Sequence, residues 1–315
     1  MSLEMDPDLE LDAPASEKAF ATEAVFAAER PRLVGLVYRM TGSVADAEDV
    51  VQEAWFRWQR TDTSTIERPA AWLTTVTSRL ALDRLRAQRR RREEYVGPWL
   101  PEPVRTDVDL SADGPVRDPQ LALERTESLE LGFLIVLDLL GEVERAVFVL
   151  ADVFAVPYAE IAEVVDRSPD ACRQIASRAR RKVRDARGGR RPADEGLLGD
   201  LIGAVALGDM QRVIGLLAPE VVLTSDGGPR RNAARRPVVL PERVARLLVN
   251  LAARLPQDGE LAIEQVNGAA ALVARSSEEV LVLTAERDER TGAISRIQML
   301  LNPDKVAGLE HSPLS

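Results

Sequence analysis

Apolar side chains follow two different periods along this chain, and the change of period divides it. Up to about residue 187 the spacing is helical. Leu33, Leu36, Val37 and Met40 fall at i, i+3, i+4 and i+7, one face of an α-helix. Gly42 closes that helix, and Ser43 followed by Asp46 gives a capping-box-like start to the next. There Val51, Ala54, Trp55 and Trp58 make one apolar stripe, with Asp46, Glu48, Asp49 and Glu53 on other faces. Residues 60–68 read as a polar loop. Pro69 suits the first turn of a third helix, which runs through Trp72, Leu73, Val76 and Leu80 into a run of arginines. Pro98, Pro101, Pro103, Pro115 and Pro119, among many aspartates, predict a linker over 96–120 that is not a packed element.

A second helical block covers 121–187. Leu129, Phe133, Val136, Leu137 and Leu140 give one amphipathic helix, Glu142–Phe154 a second and Tyr158–Val165 a third. Asp166-Arg167 reads as a turn, Ser168 as an N-cap and Pro169 as the first turn of a last helix, which Gly188-Gly189 ends. After residue 194 the texture changes. Helical spacing continues over about 195–217. Short segments such as Val221-Val222-Leu223 and Val280-Leu281-Val282-Leu283 follow, punctuated by the turn signals Asp226-Gly227-Gly228, Asn267-Gly268 and Thr291-Gly292. The chain is therefore predicted to be multidomain. A disordered acidic tail (1–17) precedes an all-α domain (18–95), the linker (96–120) and a helix-turn-helix domain (121–190). An α+β domain (195–306) and a short tail (307–315) complete it.

Charge changes the picture. The net charge is −10, yet acids crowd 1–29 and 102–130 while arginines crowd 84–92 and 173–191. Nucleic acid responds to the local field rather than the total. In the last helix of the second block Cys172, Ile175, Ala179 and Val183 point one way. Asp170, Arg173, Gln174, Ser177, Arg178 and Arg181 point the other, beyond the cap Ser168. Arg and Gln near the start of such a helix can read base edges in the major groove, while later arginines hold phosphates. A solvated charged face is the bland reading, but the turn, the cap and the preceding apolar helix are all in register for DNA. Six arginines fall within 84–92, more than a helix C-terminus needs. Upstream lie Trp72 and Arg79, and rings interleaved with guanidinium planes are what single-stranded DNA stacks on. Trp72 reads equally well as core, and Trp55 and Trp58 read as core.

One cysteine, Cys172, and one histidine, His311, exclude a disulfide framework and a Cys/His zinc site. No apolar run reaches the roughly 18 residues of a membrane span, and the acidic start is unlike a secretory signal. The expected location is the cytoplasm.

These residues carry a resemblance. Residues 20–95, with Asp46-Ala47-Glu48-Asp49-Val50-Val51-Gln52-Glu53-Ala54, Ala71-Trp72-Leu73 and Leu80-Ala81-Leu82-Asp83-Arg84-Leu85-Arg86, resemble region 2 of an extracytoplasmic-function RNA polymerase sigma factor. Residues 125–187, with Tyr158-Ala159-Glu160-Ile161-Ala162 and Ser177-Arg178-Ala179-Arg180, resemble region 4. Trp99-Leu100-Pro101-Glu102-Pro103, Asp226-Gly227-Gly228 and Asn302-Pro303-Asp304-Lys305 resemble the motifs of the subgroup with a SnoaL-like, cone-shaped α+β extension. The chain departs from that pattern at Arg79, where many relatives have Asn, and at Pro229-Arg230, where the subgroup tends to have Gly-Lys.

The resemblance implies a promoter-specificity subunit that binds the clamp and flap regions of core RNA polymerase, the clamp through Asp46, Glu48, Asp49, Gln52 and Glu53. Trp72, Arg79, Arg84, Arg86, Arg89 and Arg90 would take the −10 element as a single strand. Ser168, Asp170, Arg173, Gln174, Ser177, Arg178 and Arg181 would meet the −35 element as a duplex. Regulation in cis would come through the three motifs of Trp99 to Pro103, Asp226 to Gly228 and Asn302 to Lys305. No cofactor, metal or membrane contact is expected, and an unidentified small molecule is a possible ligand of the C-terminal domain. Two other readings compete. A helix-turn-helix regulator with a ligand-sensing C-terminal domain would bind DNA without polymerase, but leaves the 44–59 helix and the arginine run unexplained. An enzyme would need an acid or base in an apolar pocket. Asp226 beside two glycines reads as a turn-shaper and His311 lies in the tail, so the chain is not read as an enzyme.

Overall fold

The computed structural model describes residues 13–106, 129–254, 259–277 and 279–310. Its first half is helical. Helix α1 (Ala13–Thr41) packs with α2 (Val44–Arg60) and α3 (Pro69–Arg92) as a three-helix unit. The α1 stripe of Leu33, Leu36, Val37 and Met40 is fully buried there. Its start corrects one expectation: residues 13–17 are the opening of α1 rather than tail, and 1–12 lie outside the described residues. The chain leaves α1 at Gly42, whose φ of +72° is strained for any side chain and whose Cβ position is filled by the Trp99 ring. Ser43 then caps α2, its Oγ accepting from the Asp46 N–H at 3.2 Å.

The second unit is built from α4 (Leu131–Leu137), α5 (Glu142–Phe148) with a π-helical continuation over Val149–Val153, α6 (Tyr158–Val165) and α7 (Pro169–Arg187). Asp166 is left-handed at φ +53° and makes the turn, while Ser168 accepts from the Ala171 N–H to start α7. The α7 face of Cys172, Ala176, Ala179 and Val183 is buried against the preceding helices. Both helical units contribute to one apolar cluster, from Phe26 and Leu33 through Trp58 and Leu73 to Phe148, Ile161 and Val183.

The C-terminal domain is a twisted sheet with helices. Its path order is β3-β2-β7-β6-β5-β4, with β1 (Arg190–Pro192) paired to the end of β6. β2 (Leu217–Asp226) and β7 (Ile294–Leu300) are parallel. β3 (Val238–Val239), β4 (Glu260–Val266), β5 (Ala269–Arg275) and β6 (Val280–Asp288) make antiparallel pairs. Helices α8 (Glu195–Ala206), α9 (Met210–Leu216) and α10 (Pro241–Ala252) cover one face. The fold class is as the alternating and helical patterns predict: two all-α regions, then an α+β domain.

The opposite face of the sheet carries the main correction. Val266, Ala271, Val273, Val282 and Leu300 are buried there beneath Leu100 and Leu131, together with Val306 and Leu309 from the C-terminal turns. Residues 96–106 are thus a packed wedge between the first helical unit and the sheet. Leu100 is 2% exposed and Val104 7%, and Arg105 bridges Val266 at the edge of β4. Prolines predict extended backbone, and extended backbone is compatible with burial once its amides find partners. Residues 107–128, the remainder of the expected linker, lie outside the described residues.

Candidate nucleic-acid surfaces and an interdomain latch

The three motifs around Trp99, Asp226 and Asn302 meet at one carboxylate. Asp226 ends β2 with its side chain fully buried. Oδ1 accepts from the Tyr95 hydroxyl at 2.5 Å and the Gly228 N–H at 3.0 Å. Oδ2 accepts from the Leu100 N–H at 2.9 Å and the Lys305 ammonium at 2.6 Å. Lys305 also donates to the Leu100 carbonyl at 2.6 Å and lies 4.0 Å from the Trp99 ring centroid. The Arg92 guanidinium stands 3.3 Å from the same ring, so the indole meets two cations. Asn302 donates to the Tyr95 hydroxyl at 2.8 Å, and its own carbonyl caps α11 (Pro303–Val306) by accepting from the Asp304 N–H. Gly228, at φ +59°, leaves the room that Asn302 fills. Burial lowers the Lys305 pKa to about 8, with the Asp226 charge opposing. Burial and the hydrogen bond to Asp226 raise that of Tyr95.

Further along the wedge, Glu102 ties it to α1 and α2. Its N–H donates to the Gly42 carbonyl at 2.8 Å, its carboxylate accepts from the Val44 N–H at 2.8 Å, and its carbonyl accepts from the Tyr38 hydroxyl at 2.6 Å. Burial raises the Glu102 pKa against those amides. Asn267, in the β4–β5 turn at φ +53°, exchanges two hydrogen bonds with Val104 and donates to Tyr38 and the Leu129 carbonyl. The sequence flagged Asn267 only as a turn residue, and Tyr38 and Tyr95 carried no signal. Pro101 and Pro103 are buried in the wedge, and Pro303 opens α11.

The expected −35 residues share one exposed face. Arg173, Gln174, Ser177, Arg178 and Arg181 are all exposed along α7, and Asp170 pairs with Arg173. The residues expected at the −10 element are arranged differently. Trp72 packs against Trp58 with centroids 5.3 Å apart, on the core side. Arg79 donates to the Glu163 carbonyl at 2.9 Å, and Arg89 pairs with Glu142 at 3.0 Å, both in the second helical unit. Arg84 pairs with Asp46 at 2.8 Å and with Asp49, joining two sets assigned separately in the sequence. Arg86 pairs with Asp83, and Arg90 is exposed. Of the expected polymerase-facing residues, Glu48 pairs with Arg30 and Glu53 with Arg57, while Gln52 is exposed. Arg68 pairs with Glu160 at 2.8 Å across the same seam between the helical units.

Among the described residues no group of His, Cys, Asp and Glu is placed to hold a metal ion, and no helix is long and apolar enough to cross a membrane.

Residues 25–91 match the family of Sigma-70 region 2, and residues 136–183 that of Sigma-70 region 4. The ECF RNA polymerase sigma factor SigJ of Mycobacterium tuberculosis is 40% identical over 309 residues, covering 92% of this chain and 93% of that protein. The probable ECF RNA polymerase sigma factor SigI of the same species is 38% identical over 164 residues, 52% of this chain and 54% of that protein. The crystal structure of the M. tuberculosis extracytoplasmic function sigma factor SigJ superposes with a TM-score of 0.70 at 37% identity, over 93% of this chain and 99% of that one.

Proposed function

The chain belongs to the extracytoplasmic-function family of RNA polymerase sigma factors, transcription initiation factors that bind core polymerase and promoter DNA; from that premise we propose that its C-terminal domain is a fixed brace of region 2. Region 4 would be the part that moves. The observation carrying this reading is the convergence of three motifs on the buried Asp226.

Removing one partner of a buried ion pair strands the other and costs about 3–5 kcal/mol. Lys305 and Asp226 are 11% and 0% exposed, so truncating either one falls in that class, whereas opening the latch returns both charges to water and costs less. The seam between regions 2 and 4 includes exposed pairs such as Arg68 with Glu160 and Arg89 with Glu142, where a pair contributes about 0–1 kcal/mol. It also includes the buried Arg145, which donates to the Arg39 carbonyl, and the shared apolar cluster, part of which opening there would uncover. Opening at that seam would free Arg79 and Arg89 for a melted −10 strand and let α7 approach the −35 duplex. Asp46, Glu48, Asp49, Gln52 and Glu53 on α2 are the surface offered to the polymerase clamp. Regulation in cis would then act by keeping region 2 and the 96–106 wedge in a DNA-competent form.

The test is run-off transcription from a pool of genomic promoters with core polymerase and the full chain. Promoter-specific transcripts that require both components are expected. DNA binding that proceeds equally well without core polymerase would instead support an independent helix-turn-helix regulator.

A further inference from the structure

One strongly basic segment has no part in the latch. The loop from Gly227 to Pro237, between β2 and β3, holds Arg230, Arg231, Arg235 and Arg236 and no acid, in a chain of net charge −10. It is folded back on itself. Ser225 Oγ accepts from the Ala234 N–H at 2.9 Å, and a Cβ on Gly227 would lie 2.7 Å from the Arg231 carbonyl oxygen. With Val96 and Gly97 it lines a part-open polar pocket of about 110 Å³ whose walls include Arg230, Arg231 and Arg235.

The loop's position matters as much as its charge. A Cβ on Gly97 would stand 3.5 Å from the Arg235 Cα, so the loop abuts the chain just after α3. That helix ends in Arg89, Arg90, Arg91 and Arg92. Arg90, Arg91, Arg235 and Arg236 are exposed and form no ion pair with a described residue. Arg230 pairs with Asp304 at 2.9 Å in an exposed pair, which is weak and readily exchanged for another anion, while Arg231 pairs with Glu279 at 3.2 Å from a part-buried position. The exposed Glu93 and Glu94 follow the α3 arginines in the sequence.

We propose that this arginine loop is a third contact with promoter DNA, gripping backbone phosphates of the duplex beside the end of α3. A guanidinium fork matches phosphate oxygens, and such contacts fix position without reading sequence. The placement rests on the proposed function above, because the Asp226 latch is what keeps the C-terminal domain beside region 2.

Phosphate contacts are counted by salt dependence: each one removed lowers the slope of log K against log salt by about 0.9 on duplex DNA. Holoenzyme made with the full chain is titrated across salt onto a duplex promoter recovered by run-off transcription. R235S/R236S, which breaks no ion pair, should lower the slope by about 2 while still assembling with core. R243S/R246S, the same charge change on exposed α10 positions, should leave it unchanged. An unchanged slope in R235S/R236S overturns the contact, and so does an equal fall in both variants. Failure to recover any promoter would instead sink the proposed function and this contact with it.

Discussion

Asp226 shows how little a residue's local sequence says about its work. Beside two glycines it reads as a turn-former, and it does accept from the Gly228 N–H. Its other donors come from residues 95, 100 and 305, which only the tertiary fold brings near. Lys305 makes this testable by pH. In the latched form its pKa is about 8, whereas an open latch returns it towards the usual ~10.4. Below about pH 8 both forms hold the proton, so Lys305 adds no pH dependence. Between the two values the open form binds more protons, so the latch tightens as pH rises. Hydrogen-exchange protection of the Leu100 amide, after correction for intrinsic exchange, should increase through that window, and Lys305→Met should flatten the rise. Gly42 is a second residue-scale case. Gly42→Ala places a Cβ 2.8 Å from the Trp99 ring at φ +72°. The expected cost, about 1–3 kcal/mol for strain alone, would be read as a lowered midpoint in denaturant unfolding. An unchanged midpoint would mean that the wedge does not depend on this close approach.

Among elements, α7 was the most legible because cap, first-turn proline, apolar face and terminal glycines all agree locally. Ser168→Ala should lower stability by about 1 kcal/mol through the lost cap, measurable by thermal unfolding with α7 still formed. The α1 stripe and the turn glycines were legible for the same reason. The wedge over 96–106 was not. Its prolines and acids match a solvated linker, and its burial depends on amide partners such as Asn267 that lie more than 160 residues away. The order of the strands, with β2 parallel to β7, was also hidden, since period-2 patterning marks a strand without naming its neighbour. Along α3 the arginine run was visible. The pairing of Arg84 with Asp46 and of Arg89 with Glu142 was not, because a sequence shows charge but not which opposite charge faces it.

For the whole molecule, total charge misled and its distribution informed. A chain of net charge −10 still displays an arginine-bearing face on α7 and an arginine loop at the sheet. The family membership rests on similarity along nearly the whole chain, with regions 2 and 4 as its matched parts. In the proposed function the latch at Asp226 is a brace needed for activity, and opening takes place between regions 2 and 4. Run-off transcription with core polymerase, comparing the full chain with its Asp226→Asn variant, tests this most directly. Asn keeps the shape but loses the charge that partners Lys305. The expected result is a variant that still binds core polymerase and loses most promoter-directed transcript. Transcription equal to or above that of the unaltered chain would contradict the brace and make the latch an inhibitor or a bystander.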